Sequence, residues 1–269
     1  MIAFPHCKIN LGLHVTERLA DGYHHIETCF YPIPWSDVLE IIPSKEFSFN
    51  VTGSIISGDA NENLCVKAYQ AIQKKFNISA VSIHLHKIIP MGAGLGGGSS
   101  DASFCLRMLN EIFSLKISTQ ELVSFASTLG SDCSFFIEDD PKLGSGKGDI
   151  LNSVKIDLQG MYIVVVQPAV HISTVEAYGL ITPSKPTRSI EQIINEVPVS
   201  SWHEAMSNDF EVPIFKKYPQ IKNIKDVLYE AGATYASMSG SGSAVYGIFD
   251  SPVDLQRKFT GCTYWAGKL

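Results

Sequence analysis

Between Pro90 and Asp101 the chain reads Pro-Met-Gly-Ala-Gly-Leu-Gly-Gly-Gly-Ser-Ser-Asp, with five glycines in the seven residues Gly92 to Gly98. Val81, Ile83 and Leu85 alternate ahead of it, as on one face of a strand. Ala102, Cys105, Leu106, Leu109, Ile112 and Phe113 recur behind it at helical spacing. The run therefore joins a strand to a helix and puts Ser99, Ser100 or Asp101 in the N-cap region. Glycine lets a backbone turn with positive φ and approach a ligand, so that successive N–H groups converge. The positive end of the helix dipole faces the same point. These are the properties of an anion site, and phosphate is its natural occupant. A glycine-rich surface turn without a ligand is the plainer alternative.

Two common phosphate motifs do not fit. Gly92, Gly94 and Gly97 satisfy G-x-G-x-x-G, but a dinucleotide fold also needs an acid closing a second strand about 20 residues on. That region is Leu115-Lys-Ile-Ser-Thr-Gln-Glu-Leu, a short turn opening another helix. A P-loop needs G-x-x-x-x-G-K-[ST]. Gly146-Lys147 is followed by Gly148, and Pro141 stands where its first glycine belongs.

Composition narrows the function class. The 269 residues are 45% hydrophobic and 18% charged, as in soluble globular proteins, and suffice for one large domain or two modest ones. The net charge of −6 argues against general nucleic-acid binding and leaves any anionic substrate to local cations and amides. Six cysteines show neither C-x-x-C pairs nor zinc spacing, which predicts reduced thiols and a cytoplasmic protein. The N-terminus lacks the build of a signal peptide. The longest apolar run, Met161–Val166, is too short to cross a membrane.

Along the chain, Cys7, Ile9, Leu11, Leu13 and Val15 alternate against Lys8, Asn10, Gly12 and His14, which predicts a strand. Lys8 and Asn10 share a face, and periodicity alone makes that face solvated. Asp21-Gly22 is a hairpin turn signal, followed by Tyr23, His24 and, four residues on, Thr28. Asn61 or Asn63 is placed to cap a helix running to about Phe76. His84 and His86 share a strand face, solvated or metal-binding. Ser118-Thr-Gln-Glu121 is a capping box opening a helix that ends near Gly130. Asp132 follows that glycine and precedes an apolar run, where an acid also serves as a turn or cap. Gly144–Asp149 reads as a turn, and Ser189–Asn195, Trp202–Met206 and Ile221–Ala231 as helices. Ser237-Met-Ser-Gly-Ser-Gly-Ser-Ala244 allows close backbone approach and leads into the strand Val245–Phe249.

The Lys-x-Asn-Leu strand, the glycine loop and the Ser-Gly-Ser-Gly turn, in that order, resemble the three motifs of the GHMP kinase superfamily, small-molecule kinases of galactose, homoserine and mevalonate. The likeness spans nearly the whole chain and weakens after Phe249. It implies an α+β fold of two domains, 1–155 ribosomal protein S5 domain 2-like and ATP-binding, 156–269 ferredoxin-like, with the active site in the interdomain cleft. It implies transfer of the γ-phosphoryl of ATP, accompanied by Mg²⁺, to an alcohol. Asp132 is then the catalytic base and Lys8 the cation beside it. Asn63 and Leu64 lie by the adenine and Lys87 on the nucleotide side. Pro90, Gly92, Gly94, Leu95, Gly96, Gly97, Gly98, Ser99 and Ser100 wrap the triphosphate. Ser100 is the first choice as metal ligand, with Asp101 second.

The Ala-Asp-Gly-Tyr-His segment and its threonine are similar to those of members acting on a cytidine diphosphate sugar alcohol. Tyr23 and His24 then hold the cytosine, with Tyr178 flanking it, Lys147 near the diphosphate, and Asn10, Ser239 and Gly240 completing the substrate side. A stacked ring and a few directed hydrogen bonds suit a pyrimidine. The chain departs from the family pattern at Ser134, where a proline usually follows the aspartate by two residues. Asn208-Asp-Phe-Glu211 is also familiar from these kinases and is read as structural.

Overall fold

A computed structural model describes residues 1–54 and 60–269. Its elements begin with β1 (Ile2–Ala3), β2 (His6–Arg18), β3 (His24–Ser36), β4 (Val38–Pro43) and β5 (Ser48–Gly53). Then come α1 (Leu64–Phe76), β6 (Val81–Lys87), α2 (Gly97–Ile112), α3 (Thr119–Leu129), β7 (Lys142–Ser145), β8 (Ile150–Ser153) and β9 (Tyr162–Gln167). The remainder is α4 (Thr174–Gly179), α5 (Ile190–Glu196), α6 (Trp202–Ala205), α7 (Glu211–Lys217), α8 (Pro219–Glu230), β10 (Tyr235–Met238), β11 (Val245–Phe249) and β12 (Thr263–Lys268).

Two compact units interleave along the chain. Met1–Cys7, Trp35–Met91 and Gly96–Asp140 form the first; Lys8–Pro34, Gly92–Leu95 and Pro141–Leu269 form the second. A division by compactness does not coincide with a single cut after residue 155. The physical reason is that β2 and β3 share a four-stranded sheet, order β2-β3-β7-β8, with strands from beyond residue 140.

In the first unit the sheet order is β1-β4-β6-β5, with β5 and β6 parallel and the other pairs antiparallel. Leu39 and Ile41 of β4 and Val81, Ile83 and Leu85 of β6 point to one face, where they pack with apolar residues of α1, α2 and α3. Asn63 caps α1, its Oδ1 accepting from the Cys65 N–H at 2.9 Å. Ser118 and Glu121 form the expected capping box of α3.

In the second unit β10-β11-β9-β12 is an antiparallel sheet whose inner face packs on α7 and α8 through Val164, Val166, Ile214, Ile221, Ile224 and Leu228. The helices α4 and α7 span only six and seven residues, too few for an apolar period to mark them in the sequence. Both are short, and each begins close to a side-chain bond: Ser173 accepts from the Glu176 N–H, and Asn208 from the Phe210 N–H.

Candidate active site

Lys8 and Asn10 do share a face of β2, but that face is buried: Lys8 is only 3% exposed. The Lys8 Nζ donates to Asn10 Oδ1 at 2.6 Å and to the Gly94 carbonyl at 2.9 Å, and lies 5.2 Å from the centroid of the Phe30 ring. Burying an ammonium is costly unless acceptors surround it. The two acceptors and the ring come from three separated stretches of sequence. Ser239 Oγ also donates to the Gly94 carbonyl, at 2.9 Å, and the Tyr246 hydroxyl donates to the Asn10 carbonyl at 2.7 Å. The solvated face expected from alternation is thus corrected, because the Ser-Gly-Ser-Gly turn and the start of the glycine loop cover it.

That turn is itself held from below. Asn208 Nδ2 donates to the carbonyls of Met238 and Gly240, each at 2.8 Å. Glu211 accepts from the Met238 N–H at 2.8 Å and from Ser237 Oγ at 3.0 Å. The structural reading of Asn208–Glu211 has its atoms here. The glycine loop closes on the same group: Leu95 O accepts from the Lys8 N–H at 3.0 Å, and Ala93 O from the Ala244 N–H at 3.1 Å. Gly92, Gly94 and Gly96 all have positive φ, and a Cβ on Gly94 would run into the Ser239 carbonyl.

A second group in this unit is aromatic. The hairpin turn at Asp21-Gly22 leaves Tyr23 61% exposed. Lys147 Nζ stands 4.0 Å from the Tyr23 ring centroid and donates to Asp21 Oδ2 at 2.8 Å. That hydrogen bond holds the Asp21 carboxyl below its ordinary range and the Lys147 ammonium above its own. His24 stacks on Tyr178 with centroids 4.7 Å apart, and Tyr178 meets Phe210 edge-on at 4.9 Å. Burial, then the Arg18 charge, lowers the His24 imidazole, which favours its neutral form.

In the first unit α2 begins at Gly97, a full turn before the residues expected to cap it. Gly96, in the left-handed region with φ 70°, is the N-cap and offers no side-chain bond. The reason is that Ser99, Ser100 and Asp101 are already inside the helix, so the first amides keep no side-chain cap and remain available to an anion. Ser100 Oγ is fully buried there without a hydrogen-bond partner, as is Asp101 Oδ1. Pro90 and Met91 lead into this loop from β6.

Lys87, expected on the nucleotide side, is 2% exposed, and its ammonium lies between two carboxylates. It bonds Asp37 Oδ2, and Asp101 Oδ2 at 2.9 Å. Burial alone would lower this ammonium, but the Asp101 and Asp37 charges outweigh it and hold it raised. Asp37 Oδ1 accepts from the Ile88 and Ile89 N–H groups at 2.5 and 2.8 Å. A Cβ built on Gly97 would stand 3.2 Å from Lys87 Nζ, so this cation lies under the first turn of α2. No sequence signal marks Asp37, a lone acid between two strands.

Asp132 lies in the turn after α3, half-buried, with Ser131 Oγ 3.3 Å from its Oδ1. A 3₁₀ turn, Cys133–Ile137, follows. Ser134 Oγ bonds the Val123 carbonyl at 3.4 Å, a contact a proline would lack. Burial pushes the Cys133 thiol up to about 11, so it is an unreactive thiol at neutral pH. Asn63, beyond its capping bond, precedes the half-buried Leu64 in α1. On the open sheet face, Thr52 Oγ1 lies 2.9 Å from both His84 Nε2 and His86 Nδ1. Among the described residues no group of three or more His, Cys, Asp or Glu is arranged to hold a metal.

Family models described as GHMP kinases N terminal domain and GHMP kinases C terminal match residues 63–138 and 198–260. A 4-diphosphocytidyl-2-C-methyl-D-erythritol kinase from Cytophaga hutchinsonii is 50% identical over 252 residues, 93% of either chain. The chain belongs to the GHMP kinase family. A kinase of the same name from Parabacteroides distasonis is 47% identical over the full length of both chains. Among solved structures, a 4-(cytidine 5'-diphospho)-2C-methyl-D-erythritol kinase superposes with a TM-score of 0.82 at 29% identity, covering 99% of this chain and 98% of that one. The Methanococcus jannaschii mevalonate kinase superposes with a TM-score of 0.73 over 100% of this chain and 98% of that one. At 14% identity, that second likeness concerns the fold alone. The two-domain α+β GHMP kinase fold is therefore the fold of this chain.

Proposed function

We propose that this GHMP kinase transfers the γ-phosphoryl group of ATP to the 2-hydroxyl of 4-diphosphocytidyl-2-C-methyl-D-erythritol, in the non-mevalonate route to isoprenoid precursors. Relatives bearing that substrate's name, about half identical along nearly all of the chain, support it. The observation that carries the substrate class is the exposed Tyr23 ring beside His24 and its Tyr178 stack, a surface suited to a pyrimidine. The family-domain division at 155/156 belongs to the same reading, each model match falling within one stretch.

Asp132 accepts the proton of the attacking hydroxyl. Lys8, held as a donor by Asn10 and Gly94, offsets charge on the transferring group. Positioned bases contribute about 10²–10⁴-fold. Because the transition state is loose, alignment and charge stabilisation outweigh early deprotonation. Amides from Gly94 to Ser100, supported by Pro90, Gly92 and Ser99, bind the phosphates, and Asn63 and Leu64 bound the adenine. Lys87 serves the nucleotide by holding the start of α2. Asn10, Ser239 and Gly240 line the substrate side, and Lys147 contacts the diphosphate.

Mg²⁺ accompanies ATP and neutralises phosphate charge. Ser100 would hold it: its buried, unpartnered Oγ fits a cation ligand, and Asp101 Oδ1 is the second such atom. We place the enzyme in the cytoplasm, where its six cysteines stay free thiols, and the net charge of −6 disfavours nucleic-acid partners.

ADP release with ATP·Mg²⁺ and a panel of alcohols tests the assignment. Turnover on the diphosphocytidyl substrate alone is expected. Turnover on mevalonate, homoserine or galactose instead would keep the kinase and overturn the reading of Tyr23 and His24. ATP binding without turnover on any would indicate a non-catalytic nucleotide-binding regulator.

A further inference from the structure

Thr28 is fully buried on β3, 18 residues from Asn10, and its hydroxyl touches two groups. It donates to the Gly12 carbonyl at 2.5 Å and accepts from Asn10 Nδ2 at 2.9 Å. The direction of these bonds is forced. A carbonyl can only accept, so the single hydroxyl proton of Thr28 goes to Gly12. The oxygen of Thr28 is then left as an acceptor and must face the NH₂ end of the Asn10 amide. That turns Asn10 Oδ1 toward Lys8, whose Nζ donates to it at 2.6 Å.

An asparagine amide has nearly the same shape when rotated by half a turn, so sterics alone do not choose its orientation. If it turned, two N–H donors would face the Lys8 ammonium, which accepts nothing. Ser239 Oγ, 3.5 Å from Asn10 Oδ1, gives its proton to the Gly94 carbonyl and selects the orientation only weakly. Besides the Lys8 ammonium itself, the group that selects this orientation, from the other end of the amide, is the threonine hydroxyl.

We infer that Thr28 is a positioning residue for phosphoryl transfer, acting through Asn10 to fix the Lys8 ammonium, while itself touching neither substrate nor nucleotide. The inference rests on the role given to Lys8 under Proposed function. Displacement of a catalytic group by about an ångström can cost on the order of 10²-fold in rate.

The test compares Thr28→Val, which keeps shape and removes the hydroxyl, with Thr28→Ser, which keeps the hydroxyl, and with Lys8→Met. Kinetics are measured per folded enzyme, with the folded fraction determined by circular dichroism. Thr28→Val is expected to lower kcat about 10- to 100-fold, with the KM for ATP changed by less than about 3-fold because Thr28 itself bonds Asn10 and Gly12 and not the glycine loop. Thr28→Ser is expected to return kcat to within about 3-fold of the parent. A second readout is the ¹⁵N lysine spectrum, in which the Lys8 ammonium signal is identified by its absence in Lys8→Met. That signal should broaden or shift in Thr28→Val and persist in Thr28→Ser, which a general loss of stability would not produce. An inactive Lys8→Met together with a Thr28→Val of parental kcat and unchanged Lys8 signal would overturn the inference. An active Lys8→Met would instead overturn the role of Lys8 itself.

Discussion

Lys147 Nζ sits 4.0 Å above the ring of Tyr23, 124 positions earlier in the sequence, while its second contact is the Asp21 carboxylate. One face of the ring is covered by a cation, while Tyr23 as a whole remains 61% exposed. Tyr23→Ala is expected to raise the KM for the cytidine substrate about 10- to 100-fold, from the ∼1–3 kcal/mol of one base–aromatic stack, and to leave the KM for ATP within a few-fold. Tyr23→Phe should stay close to the parent. Equal effects on both substrates would remove the cytidine assignment.

Asp132→Asn keeps the shape of the turn before the 3₁₀ segment and removes the proton acceptor. Turnover is expected to fall by about 10²–10⁴-fold, with ATP affinity by isothermal titration unchanged within a few-fold. Near-parental turnover would show that the base lies elsewhere.

Lys87 is the only cation bonded to the buried carboxylates of Asp37 and Asp101 among the described residues. Lys87→Met leaves two buried carboxylates without it, and breaking such a cluster costs about 3–5 kcal/mol. A fall in Tm on the order of 10 °C is expected for a chain of this size, read by differential scanning calorimetry. A melting temperature within a degree or two of the parent would contradict the buried arrangement.

At Gly94, positive φ and the Ser239 carbonyl leave no room for a side chain. Gly94→Ala should destabilise the fold by more than about 1 kcal/mol and raise the KM for ATP. Gly98, inside α2 with open space around its Cβ direction, should accept alanine and gain up to about 1 kcal/mol of stability. Indistinguishable melting curves for the two variants would refute the close approach at Gly94.

Much of this architecture is local in origin and was legible. Alternation marked β2 and β6, the Ser118/Glu121 capping box marked α3, and Asp21-Gly22 marked the β2–β3 hairpin. Other features were not. The N-terminus of α2 moved upstream because the glycines themselves make its first turn, where a propensity argument looks for Ser or Asp. The family resemblance puts Lys87 on the nucleotide side, but nothing local marks its partners Asp37 and Asp101, which lie 50 and 14 residues away. Thr28 carried a motif position but no role.

The amino-acid sequence by itself determined the strand–glycine loop–helix order, the three kinase motifs and the family, since periodicity, turn chemistry and short motifs are written in adjacent residues. Only the tertiary structure decided that Lys8 is buried, that Lys87 is enclosed by two carboxylates and that Asn10 is oriented by Thr28. Burial and hydrogen-bond direction depend on which atoms arrive from elsewhere in the chain. For Asn10 the distance is 18 residues to Thr28 and 229 to Ser239. Such partners are brought together by packing of the core, which no local pattern records.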